Sequence, residues 1–392
     1  MEKSFKISSL PACLLLLALL GCAGHRPVLT EKTAEVPETT PDIQASVPTS
    51  TPMPPAPADK PAAKPASRPV TLAFVGDILL GGSALPKLNR EGPDSFFIHV
   101  KDLLAEADLA VGNLEGPLGS QGEVYVDKQY TFLTPPEAAQ GLKNAGFRIL
   151  TLANNHAMDF GPQALDSTLS ALDALGLKHS GAGDDEASAR RPAVLEVADR
   201  KVAVLAYSLT YPSEFWAGPQ KPGCAQGDGY SIREDVAAAR ASGAQLVIVC
   251  LHWGQEGKTV LRGYQPALAR VALEAGADAV IGHHPHIWQA LGVIGGKPVA
   301  YSLGNFVFGS YSQKAVRSGI LYLTFDGNNR WSGGKVIPLN VHNGSVQFSP
   351  RPLAGAEGRK FCDHLAVLSK PQGARLTWDG AAIHWIPPTP KP

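Results

Sequence analysis

The residues best suited to chemistry in this chain are crowded between Val280 and Gly309. Gly282-His283-His284-Pro285-His286 places three imidazoles within four positions, directly after Ala277–Ile281, an apolar run that reads as a buried strand. Imidazole is the commonest protein ligand for a metal ion, and a proline between two of them restrains the backbone that aims the rings. Fifteen residues beyond His286, Tyr301-Ser302-Leu303-Gly304-Asn305-Phe306-Val307-Phe308-Gly309 offers no group fit for catalysis. Gly304 and Asn305 suit a tight turn that carries Asn305 toward the histidines, as a structural brace or as a substrate contact.

Four earlier apolar runs end the same way. Gly76-Asp77 follows Leu72–Val75, and Gly112-Asn113-Leu114-Glu115 follows Leu109–Val111. Ala153-Asn154-Asn155-His156 follows Ile149–Leu152, and His252-Trp253-Gly254-Gln255-Glu256 follows Val247–Leu251. Singly, each has an ordinary explanation: a Gly-Asp turn, a helix cap at Asn155, a core histidine at His252. Together they put ligand-type side chains just past the carboxyl ends of five strands, where open α/β sheets bind ligands. Mixed Asp/Glu/Asn/His donors suit Mn, Fe or Zn better than Mg or Ca. One or two such ions would serve hydrolysis or transfer by in-line displacement. Trp253 and Trp288 flank the clusters, either lining a groove or packing the core.

The elements that must position these residues alternate. Strands are expected at Val70–Val75, Asp108–Gly112, Phe147–Leu152, Gln245–Leu251 and Ala277–Ile281, with a strand or hairpin over Val194–Tyr207. Helical patterns lie at Phe96–Glu106, Pro136–Ala145, Gln163–Leu175, Arg233–Ser242 and Gln265–Ala275. That alternation predicts an α/β fold with helices flanking the sheets. After Gly319 the pattern changes to short strands, Ile320–Phe325, Gly334–His342 and Ser345–Ser349, and a helix near Lys360–Ser369.

The chain has 392 residues, with Lys+Arg and Asp+Glu balanced at 35 each. Zero net charge argues against nucleic acid as a partner, because that surface needs a basic face. Residues 1–22 read as an address: Lys3 and Lys6 precede the short apolar run Cys13–Leu20, which stops at Leu19-Leu20-Gly21-Cys22. That ending resembles a bacterial lipobox with Cys22 as the lipidated residue, the alternative being an ordinary secretory signal cleaved nearby. Either way the protein is expected to be exported, with its domain in the periplasm or outside the cell. Residues 23–69 are rich in Pro, Thr, Ala and Ser and read as an extended tether, able to reach on the order of 100 Å. Cys250 is expected as a buried free thiol, while Cys224 and Cys362 could pair in an oxidising compartment.

Taken in order, the motifs around Asp77, Glu115, Asn154–Gly161, His252–Glu256, His283–His286 and Ser302–Phe306 resemble the CapA family, linked to poly-γ-glutamate capsule biosynthesis. The resemblance spans about Thr71 to Gly319, and the family is similar in turn to the calcineurin-like metallophosphoesterases. It implies a four-layer α/β/β/α sandwich with a two-metal centre in the loops at the strand ends. It implies Asp77, Asn113 or Glu115, Asn155, His252, His284 and His286 as metal ligands, Glu115 being the apter bridge. It gives His156 the role of proton donor to a leaving group and leaves His283 outside the ligand set. In the wider superfamily a histidine stands two residues after the first aspartate. Here Ile78 and Leu79 follow Asp77, so one metal position is a ligand short, and Glu256 is a candidate replacement or substrate contact.

These readings predict a lipid-anchored protein with its main domain over 70–319, and 320–392 packing on it ahead of a short disordered tail. Its partner would be an anionic surface polymer or a membrane-bound polymer synthase. Its action would be metal-dependent hydrolysis or transfer, non-catalytic binding of polymer or synthase, or phosphatase chemistry unrelated to capsule. Changing Cys22 to Ser should release the protein from the membrane fraction without unfolding the domain, because 23–69 contributes no core. Retention of that variant through high-salt and carbonate washes would refute the anchor.

Overall fold

The computed structural model describes residues 68–389; the expected signal segment with Cys22, and the expected tether up to residue 67, lie outside the described residues. The strand Val70–Leu79 is hydrophobic on both faces, which suits a central strand covered on both sides. Its Leu72 and Phe74 join one apolar cluster, and its Ala73 and Val75 join another. Leu246–His252 alternates likewise: Leu246, Ile248 and Cys250 face the first cluster, and Val247, Val249 and Leu251 a third.

Two large sheets result, packed face to face across the shared cluster, and Ala182–Gly183 pairs with Gly223–Cys224 in a separate two-stranded one. The first runs Arg375–Trp378, Ile383–Ile386, Trp331–Asn340, Arg317–Phe325, Val70–Leu79, Leu109–Leu114, Phe147–Thr151, Lys178–Ser180, with Asn305–Phe308 and Arg351–Pro352 pairing alongside. The second runs Leu291–Ile294, Lys297–Ala300, Ala279–His283, Leu246–His252, Arg200–Ser208, Ala193–Val197. Helices Ala138–Asn144 and Gly161–Ala174 cover the outer face of the first sheet through Leu142, Leu165 and Leu172. Helices Gly229–Ala241 and Tyr264–Glu274 cover the second through Ile232, Val236, Leu268 and Leu273. The architecture is therefore the expected α/β/β/α sandwich. Helix Gly355–Ser369 inserts Phe361 and Leu365 into the cluster between the sheets, and strand Arg317–Phe325 runs through the expected division at 319/320. No helix among the described residues is long and apolar enough to cross a membrane.

Three local expectations are corrected. Phe96–Glu106 is not one helix but a 3₁₀ turn, Pro93–Phe96, and a single turn, Lys101–Leu104. Aromatic packing overrides the helical pattern there, with Phe97 against Phe147 and Phe306 at ring separations of 6.0 and 6.4 Å. Ser345–Ser349 is not a strand, because Asn343–Val346 forms a helical turn pinned by the Asn343 amide on the Phe308 and Ser310 carbonyls. Cys224 and Cys362 do not pair: they belong to different clusters, and both are buried free thiols, as is Cys250.

Close backbone approach at the strand ends decides which glycines are needed. A Cβ on Gly76 would lie 1.8 Å from the Gly304 carbonyl oxygen, and one on Gly282 would lie 2.0 Å from the Tyr301 oxygen. The Asp77 amide donates to that Gly304 oxygen at 2.9 Å, so the Asp77 strand and the Ser302–Asn305 turn are joined where a side chain would part them. Gly282→Ala is expected to cost about 1–3 kcal/mol or more in chemical denaturation. Gly333→Ala, where nothing lies within 4 Å of the added carbon, should stay within about 0.5 kcal/mol. Equal midpoints for the two variants would contradict this.

Candidate metal centre

Strand register lines up the polar residues before any side chain is considered. In the first sheet Asn305, Asp77, Asn113 and Thr151 stand side by side on four neighbouring strands. In the second, Ser208, His252 and His283 form the facing row. The His284 amide then donates to Asp77 Oδ2 at 3.3 Å and closes one row onto the other. His284 and His286 hold φ of +93° and +59°, backbone that non-glycine residues adopt only where packing imposes it. The Pro285-centred loop is thus held in a strained form that turns both rings inward.

Glu115 is at the middle. Asp77, Glu115 and His252 offer ligand atoms within 4.8 Å of one another, and so do Glu115, His284 and His286. The two groups share only Glu115, which is where a bridging carboxylate would stand. His252 Nε2 lies 2.8 Å from Asn155 Oδ1 and 3.9 Å from Glu115 Oε1. His286 Nε2 lies 3.7 Å from the same Glu115 oxygen, and its Nδ1 lies 3.2 Å from Asp77 Oδ2 and 2.9 Å from Asn305 Oδ1. The His252 and His284 rings are 4.8 Å apart.

The other expected residues divide. Asn113 is in place but saturated: its amide nitrogen donates to Asp77 Oδ1 at 2.9 Å, and its oxygen accepts from Thr151 at 3.2 Å and Asn154 at 3.4 Å. It holds Asp77 rather than offering itself to an ion. Asn305 braces His286 from the opposite side. Glu256 is exposed, and its charge bears on both Glu115 and His286. Trp253 is corrected: it is wholly buried, donates to the Tyr301 carbonyl at 2.8 Å and stacks on that ring, so it packs the core and touches no substrate. Trp288 is likewise buried, edge-on to Phe361. His283 turns away to the Val75 carbonyl at 3.2 Å.

His156 is buried beside the cluster, and its Nδ1 lies 2.8 Å from Asp159 Oδ2. Asp159 had no assigned role in the sequence, although a carboxylate three residues after a histidine was the available signal. Lys128, 2.6 Å from the other Asp159 oxygen, carried no such signal, because it reaches the site from the distant 119–133 segment.

Electrostatics separate these groups. Burial opposes the Asp77 charge, but the hydrogen bond and charge of His286 outweigh it and keep that carboxyl below its usual range. Burial and the Asp77 charge push Glu115 well above the carboxylate range. Burial also disfavours the His286 cation, yet Glu115 and Asp77 raise it to about 9. Burial, reinforced by neighbouring imidazoles, holds His252 well below its ordinary value and His284 at about 3. Burial lowers His156 as well, against the pull of Asp159. His252 and His284 are therefore neutral at pH 7, the form that binds metal.

The donor set fits a divalent ion. Both Glu115 oxygens, His252 Nδ1 and His284 Nδ1 are buried with no hydrogen-bond partner. Unpaired buried polar atoms are costly, and the two Glu115 oxygens, standing between the two donor groups, are what a cation would satisfy.

Comparison with known proteins identifies the family. A family model described as bacterial capsule synthesis protein PGA_cap matches residues 71–310. The capsule biosynthesis protein CapA of Bacillus anthracis is 31% identical over 293 residues, covering 73% of this chain and 70% of that protein. The PGA biosynthesis protein CapA of Bacillus subtilis is 32% identical over 288 residues, covering 72% and 74% respectively. A probable polyglutamine synthesis accessory protein of Mycobacterium tuberculosis is 32% identical over 235 residues, covering 55% and 61%. Among solved structures, the NAD nucleotidase of Haemophilus influenzae aligns at a TM-score of 0.43 and 14% identity over 77% of this chain and 56% of that one, a likeness too slight to bear on activity. By the family model and the two CapA proteins, this chain belongs to the PGA_cap family of bacterial capsule synthesis proteins.

Proposed function

We propose that this protein acts in the synthesis, anchoring or processing of an anionic surface polymer of the poly-γ-glutamate kind, by metal-dependent hydrolysis or transfer. The relatives' names support the polymer, and the ligand cluster supports the chemistry. The observation that carries the catalytic part is Glu115, a buried carboxylate with both oxygens unpartnered between two sets of donors. In the same proposal Cys22 anchors the exported domain to the cell-envelope membrane, and a membrane-bound synthase is the partner.

Asp77, Glu115, Asn155, His252, His284 and His286 would hold one or two ions of the Mn, Fe or Zn class. When bound, such ions supply Lewis acidity to the attacked group and its nucleophile. Asp159 accepts from His156 Nδ1, which orients the ring and leaves Nε2 as the nitrogen that exchanges a proton with substrate. Asn113 and Asn305 keep Asp77 and His286 aimed at the centre. Glu256, exposed and with its charge bearing on Glu115 and His286, would contact substrate.

A second reading, a polymer- or synthase-binding subunit without catalysis, is favoured by one feature. Ile78 and Leu79 after Asp77 are buried in the core, so that strand supplies a single ligand.

Protein purified without chelator should carry about one or two transition ions per chain by elemental analysis, and the double change His284→Ala with His286→Ala should abolish binding. Wild-type protein that takes up no Mn, Fe or Zn on titration would end the metal reading. His156→Ala should leave metal content nearly intact and lower turnover of a chromogenic phosphodiester by about 10²–10⁴-fold. Normal polymer production in cells by that variant, with metal retained, would hand the lead to the binding-subunit reading.

A further inference from the structure

The segment 119–133 runs past the cluster without helix or strand, yet it is docked with care at one place. The Tyr125 amide donates to the Asp159 carbonyl at 2.9 Å, and the Phe132 amide donates to Asp159 Oδ2 at 2.8 Å. The Phe132 ring packs 4.7 Å from the His156 ring. Between them Lys128 sends its ammonium inward over the Phe215 ring, leaving its side chain 18% exposed.

We propose that Lys128 is a positioning residue that locks the His156–Asp159 pair and the Asn155 peptide to one ammonium. Nζ lies 2.6 Å from Asp159 Oδ1, an ion pair outside hydrogen-bond alignment, and donates to the Asn155 carbonyl oxygen. It stands 3.1 Å from His156 Nδ1, the nitrogen that faces Asp159 Oδ2 at 2.8 Å. Two acceptors do not sit 2.8 Å apart without a proton between them, so Nδ1 carries the hydrogen and Asp159 receives it. Lys128 therefore does not decide the tautomer by donating to the ring. It acts through Asp159, pairing its charge with Oδ1 while Oδ2 stays aimed at Nδ1, and balancing a carboxylate that is 0% exposed. The bond to the Asn155 carbonyl extends the same control to the metal side, because the Asn155 side chain lies 2.8 Å from His252. Proton transfer and ion binding are thus registered to each other by a residue about thirty positions away in sequence.

This inference rests on His156 being the proton-transfer group, and its test can be read without substrate. Full-length protein labelled with ¹⁵N-histidine, at fixed pH and with His156 assigned through His156→Ala, should show one tautomer with the proton on Nδ1. Lys128→Ala should replace that signature with a mixture or a broadened signal, and added ethylammonium should restore it by filling the vacated space. Turnover of a chromogenic phosphodiester should fall about 10- to 100-fold in the variant and recover with the amine. A His156 spectrum in Lys128→Ala identical to wild type, with and without amine, would overturn the proposal. If Lys128→Ala does not fold, Lys128→Met keeps the stem over Phe215 and gives the same comparison. Failure of both to fold, with Lys128→Arg also unfolded, would assign Lys128 to stability alone and overturn it too. Wild-type protein that does not turn over the phosphodiester counts against the proposed function and not against Lys128.

Discussion

The carboxylate of Asp77 is the contact on which the rest of the cleft depends. It is fully buried at the end of a central strand of the first sheet, and it takes hydrogen bonds from both sides of the sandwich. Asn113 holds one oxygen from the neighbouring strand, while the His284 amide and His286 Nδ1 reach the other from the second sheet's loop. A buried carboxylate is tolerable only when so many donors converge on it. The same need draws the two strand-end rows together and holds His284 and His286 in strained backbone.

That closure creates a second problem, at Glu115. One carboxylate beside another in a dry space cannot share the available positive charge equally, and the asymmetry appears as Asp77 held acidic and Glu115 driven toward its protonated form. His286 takes a proton as partial compensation. A divalent cation beside Glu115 would meet these demands together, whereas hydrogen bonds alone leave both Glu115 oxygens without partners.

Chemistry-bearing residue types in the motifs do different jobs depending on one or two steps along the chain. Asn113 and Glu115 are two apart in sequence, yet one is spent on bracing and the other stands open. His283 and His284 are adjacent, and alternation at the strand end sends the first to the Val75 carbonyl and the second into the cluster. Trp253, next to His252, points the opposite way and becomes core packing against Tyr301. Asp159, three residues past His156, holds that ring through Nδ1 and is not among the clustered ligand groups.

The sequence by itself determined the layered α/β architecture, since runs apolar on both faces must be covered on both faces, and it marked the strand ends carrying Asp77, Glu115, Asn155, His156, His252, His284 and His286. Those signals are local: strand periodicity, loop chemistry and spacing act within a few residues. Only the tertiary structure decided which donors face inward, because that depends on register between strands far apart in the chain, such as Asp77 beside Asn113 and Asn305. It alone separated Cys224 from Cys362, since each is drawn into a different apolar cluster. It replaced the Phe96–Glu106 helix with aromatic packing of Phe97 against residues about 50 and 200 positions away. It alone brought Lys128 to Asp159, because an irregular segment has no periodicity to read and is placed by the buried charge it must meet.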